Sequence, residues 1–430
     1  MSPDVAGELD PAGESARPGR GALAGLAVDL TPMRVSRPFR RLWFGQAVSA
    51  IGNQVTTVAI PFQLYALTHS TLLVGLLGLA ALVPLLTVPL LAGAAADTAD
   101  RRRLMLAGEV VILSASASLL ANALLDHPHV WVLFAAELVG TSGWSIARPA
   151  MSAATPRLVP RRLVASAVAL QSVYSNFAHV AGPAFGGVLI AAVGLPGAYA
   201  VDVATFAASI SAAWLLPAIP PTGLSGHRGV RAILEGVRYV GARRVLLGIF
   251  LVDTNAMIFG MPSALFPAFA DHLGGGARTV GVLYAAPYAG AFVASVVSGW
   301  IGRVRRQGLG VCVAAAGWGA AIAVFGLAGS LATAAAALAV AGGADFISAV
   351  LRDTILLTAS PDELRGRLSG IELAQVASAP ALGNLEAGVV ASLAGIRASV
   401  VSGGVLTVLG TAAVAAALPA FVRYDARGPA

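Results

Sequence analysis

The sequence predicts an all-α membrane protein with twelve transmembrane helices. Apolar residues make up 57% of its 430 residues, and charged residues make up only 11%, whereas a soluble globular chain carries about 25% charged residues. Twelve separate stretches reach the roughly 20 mostly apolar residues that a helix needs to cross a bilayer. This composition excludes a soluble enzyme, a disordered protein and a coiled coil.

The predicted spans are joined by short links, and the longest link separates them into two sets of six. The spans are predicted at 39–66, 71–96, 104–125, 130–151, 163–192, 196–216, 245–270, 279–302, 308–328, 331–357, 368–394 and 398–421. The chain is therefore divided into a disordered cytoplasmic tail at 1–37, a six-helix bundle at 38–216, a linker at 217–244, a second bundle at 245–421 and a cytoplasmic tail at 422–430.

Arginine supplies all 28 basic residues, and its distribution predicts the orientation. Links on one side of the predicted membrane hold clusters such as 101–103 and 303–306, whereas links on the other side hold only Arg278 and Arg397. The positive-inside rule therefore places both termini in the cytoplasm of a plasma membrane, which we expect to be bacterial. The positive-inside distribution of arginine accounts for the net charge of +7, so this charge does not indicate binding to nucleic acid.

The linker at 217–244 begins with prolines and continues as a predicted amphipathic helix. Apolar residues such as Val230, Ile233 and Val237 recur at helical spacing, with arginines on the opposite face. We expect this helix at the cytoplasmic surface, either solvated or in contact with the membrane.

The two halves share a pattern of glycine and proline. Pro160, Gly182, Gly187 and Gly194 recur 201 residues later as Pro361, Gly383, Gly388 and Gly395. A six-helix unit used twice in parallel is the plan of transporters that work by alternating access.

The link between spans two and three carries a motif of glycine, acid and arginine. Gly93, Asp97 and the run 101–103 are spaced as in the loop motif G-x-x-x-D-R-x-x-R-R of the major facilitator superfamily, which this chain resembles. Thr98 departs from the arginine of that motif and weakens its charge network. Gly93, Asp97 and Arg101 are expected to control the exchange of the transporter between its conformations.

Four further segments resemble the enterobactin (siderophore) exporter subfamily. These are 60–75, 265–271, 280–286 and 360–370, and the resemblance extends over about 39–421. It implies a transporter of the major facilitator fold that exports a siderophore or a similar amphipathic metabolite. It also implies that spans one, four, seven and ten line a central cavity.

Seven carboxylates fall inside predicted spans, where a charge costs roughly 2.5–3.5 kcal/mol even on the lenient insertion scale. They are Glu109, Glu137, Asp202, Asp253, Asp345, Glu372 and Glu386. Polar stripes on one helix face comprise Gln46, Ser49, Asn53 and Thr57 in span one, Glu137, Thr141 and Arg148 in span four, and Asp345, Ser348 and Arg352 in span ten. Such stripes face protein or water rather than lipid.

These stripes supply the candidate site. Proton coupling or substrate binding is expected from Asp345, Asp253, Glu137, Asn53, Gln46 and Asn255, and gating from Arg148 and Arg352. Asp345 and Asp253 are the first choices as proton carriers, because protonation removes the cost of a buried unpaired charge. A hydrogen-bonded structural pair is the alternative for each carboxylate. The alternatives for the two arginines are a structural interface or substrate contact.

Span five carries small residues on one face, together with His179. Gly182, Pro183, Gly186 and Gly187 predict close helix packing and resemble a shortened form of the family's antiporter motif. His179 is interpreted as a buried structural residue, with titration near neutral pH as the alternative.

The function expected from these patterns is secondary active export by proton antiport. A siderophore is the first substrate expectation, multidrug efflux is the second, and a nutrient uptake symporter is the alternative of another class. The sequence has no Walker loop, no zinc-ligand spacing and one cysteine, Cys312, so no enzyme activity, cofactor, metal site or intrachain disulfide is expected. The expected partners are a small-molecule substrate, protons and lipid, and the unit is expected to be a monomer.

Overall fold

A computed structural model of the chain describes residues 29–220 and 230–427, and every regular element in these ranges is a helix. The long helices are α1 (Arg37–Thr68), α2 (Thr71–Thr98), α3 (Arg101–Ala123), α4 (Val130–Leu158), α5 (164–193), α6 (195–214), α7 (Arg244–Phe259), α8 (Ala277–Val296), α9 (Gln307–Gly326), α10 (Leu331–Thr358), α11 (Asp362–Ala394) and α12 (Ile396–Ala417). Short helices at Ser263–Leu265 and Phe266–His272 continue α7.

Twelve of these helices are long enough to cross a membrane. In the described ranges, ten stretches combine the length and hydropathy of a span, and one of them, Arg161–Trp214, is 54 residues long. At 1.5 Å per residue such a helix measures roughly 80 Å, more than twice the thickness of the hydrocarbon core. It bends at Gly194, where α5 ends and α6 begins. The remaining span is α1, whose mean hydropathy is lowered by its first arginines and its polar stripe. The predicted fold class is confirmed.

Two glycines with positive φ end equivalent helices in the two halves. Gly194 (φ 74°) joins α5 to α6, and Gly395 (φ 92°) joins α11 to α12. A residue with a side chain is strained in this conformation, so glycine permits a turn of almost no length. Gly194 and Gly395 lie 201 residues apart, which is the offset of the repeat found in the sequence.

The helices pack in two groups of six. The most extensive neighbours within the first group are α1 with α5 and α6, and α3 with α4, and within the second group α9 with α10 and with α12. Between the groups, α2 packs on α11 and α5 packs on α8. The bundles at 38–216 and 245–421 stay a prediction, which this packing supports.

Most of the links that contain arginine lie at one end of the molecule, and Arg278 and Arg397 lie at the other. We call the first of these the Arg-rich end, which holds Arg101, Arg161 and Arg305, and the second the opposite end, which holds Thr71, Val130 and Ile396. Residues 1–28 of the predicted disordered tail lie outside the described ranges. Its last residues are ordered, contrary to that prediction: Thr31–Val35 forms a helix.

Hydrogen bonds explain why this part of the tail is ordered. The Asp29 carboxylate accepts from the Thr31 backbone N–H at 2.9 Å and from Ser166 Oγ on α5 at 2.8 Å. Hydrogen bonding to Thr31, followed by that to Ser166, holds the pKa of Asp29 below its usual value. The tail is therefore attached to the Arg-rich end of α5.

The linker helix is present as predicted, at Val230–Ala242. It packs against α11, and Gly236 approaches Ile371 so closely that a Cβ atom on Gly236 would lie 2.7 Å from Ile371 Cδ1. Val240 is buried and Val237 is exposed. Part of the apolar face predicted for membrane or solvent contact is therefore covered by the second group of helices. Cys312 is buried in α9.

Candidate functional site

Two adjacent chambers are lined mainly by the first group of helices. The first, which we call the acidic chamber, has a volume of about 410 Å³ and extends from Trp144 in the middle of α4 to Val74 near the start of α2, at the opposite end. It is lined by polar residues that include Asn53, Thr56, Ser116, Glu137, Thr141 and Asp202. The second helix group contributes Ser263, Tyr284 and Asn384. The chamber therefore lies at the junction between the two groups.

Asp202 is fixed in the wall of the acidic chamber by two hydroxyl groups. Its Oδ2 accepts hydrogen bonds from Ser116 Oγ on α3 at 2.6 Å and from Thr56 Oγ1 on α1 at 2.8 Å. Only 1% of Asp202 is exposed, and Oδ1 has no hydrogen-bond partner. Gly52 makes room for this oxygen, since a Cβ atom there would lie 2.7 Å from Oδ1.

Glu137 is the second carboxylate of the acidic chamber and is half-buried. It lies on α4 one turn from Thr141, and both side chains line the chamber. No basic residue is present among the described residues that line it. The chamber thus holds two acids, hydroxyl and amide groups, and the aromatic rings of Trp144 and Tyr284.

The second chamber, which we call the arginine chamber, has a volume of about 520 Å³ and extends toward the Arg-rich end. It shares the lining residues Asn53, Ile112 and Trp144 with the acidic chamber, so the two chambers are adjacent. Arg148 is exposed in this chamber, with its guanidinium 5.0 Å from the centre of the Trp144 ring. It forms no ion pair with a described residue.

Glu109 lies in the wall of the arginine chamber. Its Oε1 accepts from Gln46 Nε2 on α1 at 2.5 Å and from Ser209 Oγ on α6 at 3.0 Å, while Oε2 has no partner. Gln171 and His179 of α5 complete this wall. The His179 ring also stacks obliquely on Tyr288 of α8, with ring centres 5.1 Å apart, which joins the two helix groups.

The second group of helices contains a buried ion pair. Arg352 Nη1 on α10 lies 2.6 Å from Asp253 Oδ1 on α7. The arginine also donates to Ser348 Oγ at 3.0 Å, and Asp253 Oδ2 accepts from Gln375 Nε2 at 3.0 Å. The pair therefore ties together α7, α10 and α11, and neither residue lines either chamber.

Two other predicted cavity residues of this group also lie outside both chambers. Asn255 Nδ2 donates to the carbonyl oxygen of Thr407 on α12 at 2.9 Å. Asp345 is half-buried on the stripe of α10, and it has no hydrogen bond or ion pair to a described residue. The two chambers are thus lined mainly by the first group of helices, whereas the resemblance implied a central cavity lined by spans one, four, seven and ten.

The predicted loop motif lies at the Arg-rich end of α2 and α3. Gly93 and Asp97 fall in the last turns of α2, and their side chains lie outside the described part of the structure. The Arg101 backbone N–H donates to the Ile219 carbonyl at 2.9 Å. Asp100 caps α3 by accepting from the Arg102 N–H at 2.8 Å, and it also accepts from the Ile219 N–H. This cap was not predicted.

Glycines form two closely packed crossings near the opposite end, which we call the glycine seams. On α5 and α8, a Cβ atom at Gly187 would lie 2.5 Å from the Ala277 carbonyl oxygen, and one at Gly281 would lie 2.6 Å from that of Pro183. On α2 and α11, Gly75 and Gly388 meet in the same way. Gly182 and Gly186 instead pack on α1. The seams join the two helix groups near the opposite end.

Sequence reasoning identified the stripes of α1 and α4 but gave little weight to two of the carboxylates. Asp202 and Glu109 were only two of seven candidate carboxylates, yet both lie in chamber walls with one oxygen unpartnered. Their hydroxyl partners are serine and threonine residues on other helices. Such residues are common in membrane helices, so no sequence signal distinguished them.

A twelve-helix membrane fold with a cavity at the junction of two helix groups defines a membrane transporter of the major facilitator type. The chain belongs to the family of transmembrane secretion effectors, whose model matches residues 27–427. The predicted resemblance is therefore confirmed at the level of the family.

The similarity to individual proteins extends over most of the chain. The chain is 29% identical over 388 residues to the enterobactin exporter EntS of Shigella boydii serotype 4 (strain Sb227), which covers 89% of this chain and 92% of that protein. Among solved structures, a POT family transporter in complex with 5-aminolevulinic acid has a TM-score of 0.71 at 13% identity, and it covers 90% of this chain and 97% of its own.

A third similarity is to a bacterial homologue of the human lysosomal transporter Spinster in an inward-facing, unoccupied conformation. Its TM-score is 0.69 at 17% identity, and it covers 93% of this chain and 99% of that chain. At these identities both structures support the fold alone.

Proposed function

We propose that this chain exports a small amphipathic metabolite by proton antiport and alternating access, and that the metabolite is a siderophore. The observation that carries the proposal is the cavity, which lies within the membrane and has three carboxylates in its walls, Glu109, Glu137 and Asp202. None of the three has a cationic partner among the described residues. Export of a siderophore is supported by the similarity to enterobactin exporters.

The proposed direction of transport rests on the arginine distribution. The positive-inside rule assigns the Arg-rich end to the cytoplasm. The seams then close the cavity toward the outside, and the arginine chamber receives substrate from the cytoplasm. Separation of the seams, together with closure at the Arg-rich end, would release substrate outside.

Residue roles follow from this scheme. Glu137, Asn53 and Gln46 line the chambers and are proposed to contact substrate or protons. Asp345 remains a proposed proton carrier, because it is the half-buried acid of α10 without a described partner. The proposed gating set is Gly93, Asp97, Arg101, Arg148 and Arg352.

The ion pair changes the proposal for two residues. In this conformation the guanidinium of Arg352 compensates the charge of the Asp253 carboxylate. Asp253 is therefore stabilised less by binding a proton than an acid without a cationic partner would be. We propose that the pair opens and closes with the cycle and that Asn255 holds α7 against α12.

Inverted membrane vesicles with an imposed pH gradient test direction and coupling together. We expect a labelled siderophore to accumulate in vesicles with an acidic lumen, and a protonophore to abolish the accumulation. Loss of preloaded siderophore from the acidic lumen would instead identify an uptake symporter and overturn the proposal.

Multidrug efflux is the second candidate, and the aromatic and acidic lining of the acidic chamber favours it. Under that function the same vesicles would accumulate structurally unrelated amphipathic compounds, and the siderophore would have no advantage over them.

A further inference from the structure

The chain after α12 folds back onto the Arg-rich end of the second helix group. Residues 419–427, which we call the C-terminal clip, begin with the short helix Pro419–Val422. Within this helix Phe421 is completely buried, and the helix packs on α7 and α9. The clip therefore contributes a large apolar side chain to the second helix group at its Arg-rich end.

Two glycines on neighbouring helices form a socket for Phe421. A Cβ atom at Gly248 on α7 would lie 2.6 Å from Phe421 Cδ1, and one at Gly308 on α9 would lie 2.7 Å from the Phe421 carbonyl carbon. Neither position could carry a side chain unless the clip moved. Phe421 belongs to the same buried apolar cluster as Val252 of α7 and Leu351 of α10, so the cluster extends from the clip into the helix group.

Polar contacts attach the rest of the clip to α10 and α9. Tyr424 Oη lies 3.0 Å from Thr358 Oγ1 on α10, within hydrogen-bond distance. The Ala426 backbone N–H donates to Gln307 Oε1 on α9 at 2.9 Å. Together with the socket of Phe421, these contacts join α7, α9 and α10 at their Arg-rich ends.

The ion pair of Asp253 and Arg352 joins two of the same helices, α7 and α10, deeper in the membrane. Asp253 lies five residues from Gly248 on α7, and Arg352 lies six residues from Thr358 on α10. These separations correspond to about 7.5 Å and about 9 Å along the helix axes. The clip is thus a second connection between α7 and α10, and it lies between the buried ion pair and the Arg-rich end.

We propose that Phe421 is a positioning residue for this ion pair. It holds α7 and α10 at the separation at which Arg352 reaches Asp253, and it keeps water at the Arg-rich end away from the pair. A buried pair depends on this exclusion, because water weakens the attraction between the two charges and solvates each charge alone. In the proposed transport cycle, in which the pair opens and closes, the clip favours the closed pair. That consequence rests on the proposed function, whereas the effect of Phe421 on the pair does not.

A double-mutant cycle on the purified full-length protein in detergent tests the proposal. Arg352→Met leaves the Asp253 carboxylate buried and alone, so it should lower the melting temperature strongly. In a Phe421→Ala protein water already reaches this carboxylate, so Arg352→Met should lower the melting temperature by less than half as much. Phe39→Ala is the matched control, because Phe39 is an equally buried phenylalanine of the first helix group. In that protein the effect of Arg352→Met should be unchanged, as for two sites without shared partners.

Equal effects of Arg352→Met in the Phe421→Ala and Phe39→Ala proteins would overturn the proposal, because Phe421 would then contribute to packing alone. If Phe421→Ala does not fold, Phe421→Leu compared with Phe39→Leu gives the same test with a smaller loss of volume. Failure of the wild-type protein to transport a siderophore would refute the proposed function and leave this result unaffected.

Chemical modification of the Asp253 carboxylate gives a second readout that stability alone does not change. We expect a water-soluble carbodiimide to modify Asp253 at least tenfold faster in the Phe421→Ala protein than in the wild-type or Phe39→Ala protein. Mass spectrometry of the peptide that contains α7 measures the rate. Equal rates in the three proteins would contradict the role of Phe421 in excluding water.

Discussion

Arg352 and Asp253 are both buried and lie 2.6 Å apart. Removal of one partner from such a pair leaves the other charge without compensation, which costs about 3–5 kcal/mol, whereas replacement of both by apolar residues is often neutral. Loss of Arg352 also removes the donor to Ser348 Oγ, and loss of Asp253 removes one of the two acceptors of Gln375 Nε2. The pair therefore affects stability mainly when one partner is removed and the charge of the other remains buried without compensation.

We expect Arg352→Met to lower the thermal stability of the protein in detergent strongly, and Asp253→Leu combined with Arg352→Met to recover most of the loss. Melting followed by intrinsic fluorescence measures this difference. A double variant that is less stable than either single variant would contradict this account of the pair.

The coupling role of Asp345 makes a separate prediction. Asp345→Asn should abolish efflux driven by a pH gradient but permit exchange between equal substrate pools, because exchange needs no net proton movement. Both rates can be measured in the same vesicles, with Glu386→Gln as the control. Efflux that still responds to pH would remove Asp345 from the mechanism.

The spacing of residues along one helix predicted which side chains share a face. It did not predict which residues of other helices those side chains contact. The stripe of α1 was recognisable because its residues share one face, and Gln46 and Asn53 do line the chambers. Asp345 and Arg352 share one face of α10, yet Arg352 binds Asp253 on α7. The rotation of one helix against another decides such partners, and a single sequence does not contain it.

At the scale of the helices, the glycine seams hold the two groups together through backbone contact. A side chain at Gly187 would meet the Ala277 carbonyl oxygen and the backbone of Gly281. Backbone atoms cannot move aside as the end of a flexible side chain can. A larger residue would therefore act as a wedge that favours the conformation with this end open.

We expect Gly187→Leu to stop turnover and to increase amide hydrogen exchange at the starts of α2 and α8. Gly366→Leu is the matched control, because nothing lies within 4 Å of a Cβ atom there. Mass spectrometry of peptides from these helix starts measures the exchange. Normal transport by folded Gly187→Leu protein would show that the seam does not need to close.

The glycines also show how much of the helix packing the sequence could predict. Close packing was expected at Gly182 and Gly186 from their shared face and at Gly187 from the motif that it resembles, but the sequence could not say which helix each one meets. Gly182 and Gly186 contact α1, whereas Gly187 contacts α8 in the other group. A difference of one residue changes the direction by about 100°, so neighbouring glycines serve different interfaces.

At the scale of the whole molecule, the number of spans and the arginine distribution determine the orientation. Twelve spans predict that both termini lie on one side of the membrane, together with nearly all links that carry arginine. Orientation was predicted from the sequence alone, because the positive-inside rule depends on composition and not on contacts.

Reporter fusions test this orientation. Fusions at Arg162, Arg238 and Arg367 should report the cytoplasm, and fusions at His127 and Gly275 should report the outside. A fusion at Arg238 that reports the outside would contradict the twelve-span topology, because the linker would then lie on the other face of the membrane.

The burial of Cys312 in α9 has a practical consequence for spectroscopy. It is the only cysteine of the chain, and it is 6% exposed. Any cysteine placed on the surface would then be the preferred target of a spin label, and the native thiol would not need to be removed first. Pairs of labels on the two helix groups, at the Arg-rich end and at the opposite end, would report the distances between the groups as substrate or protons are added.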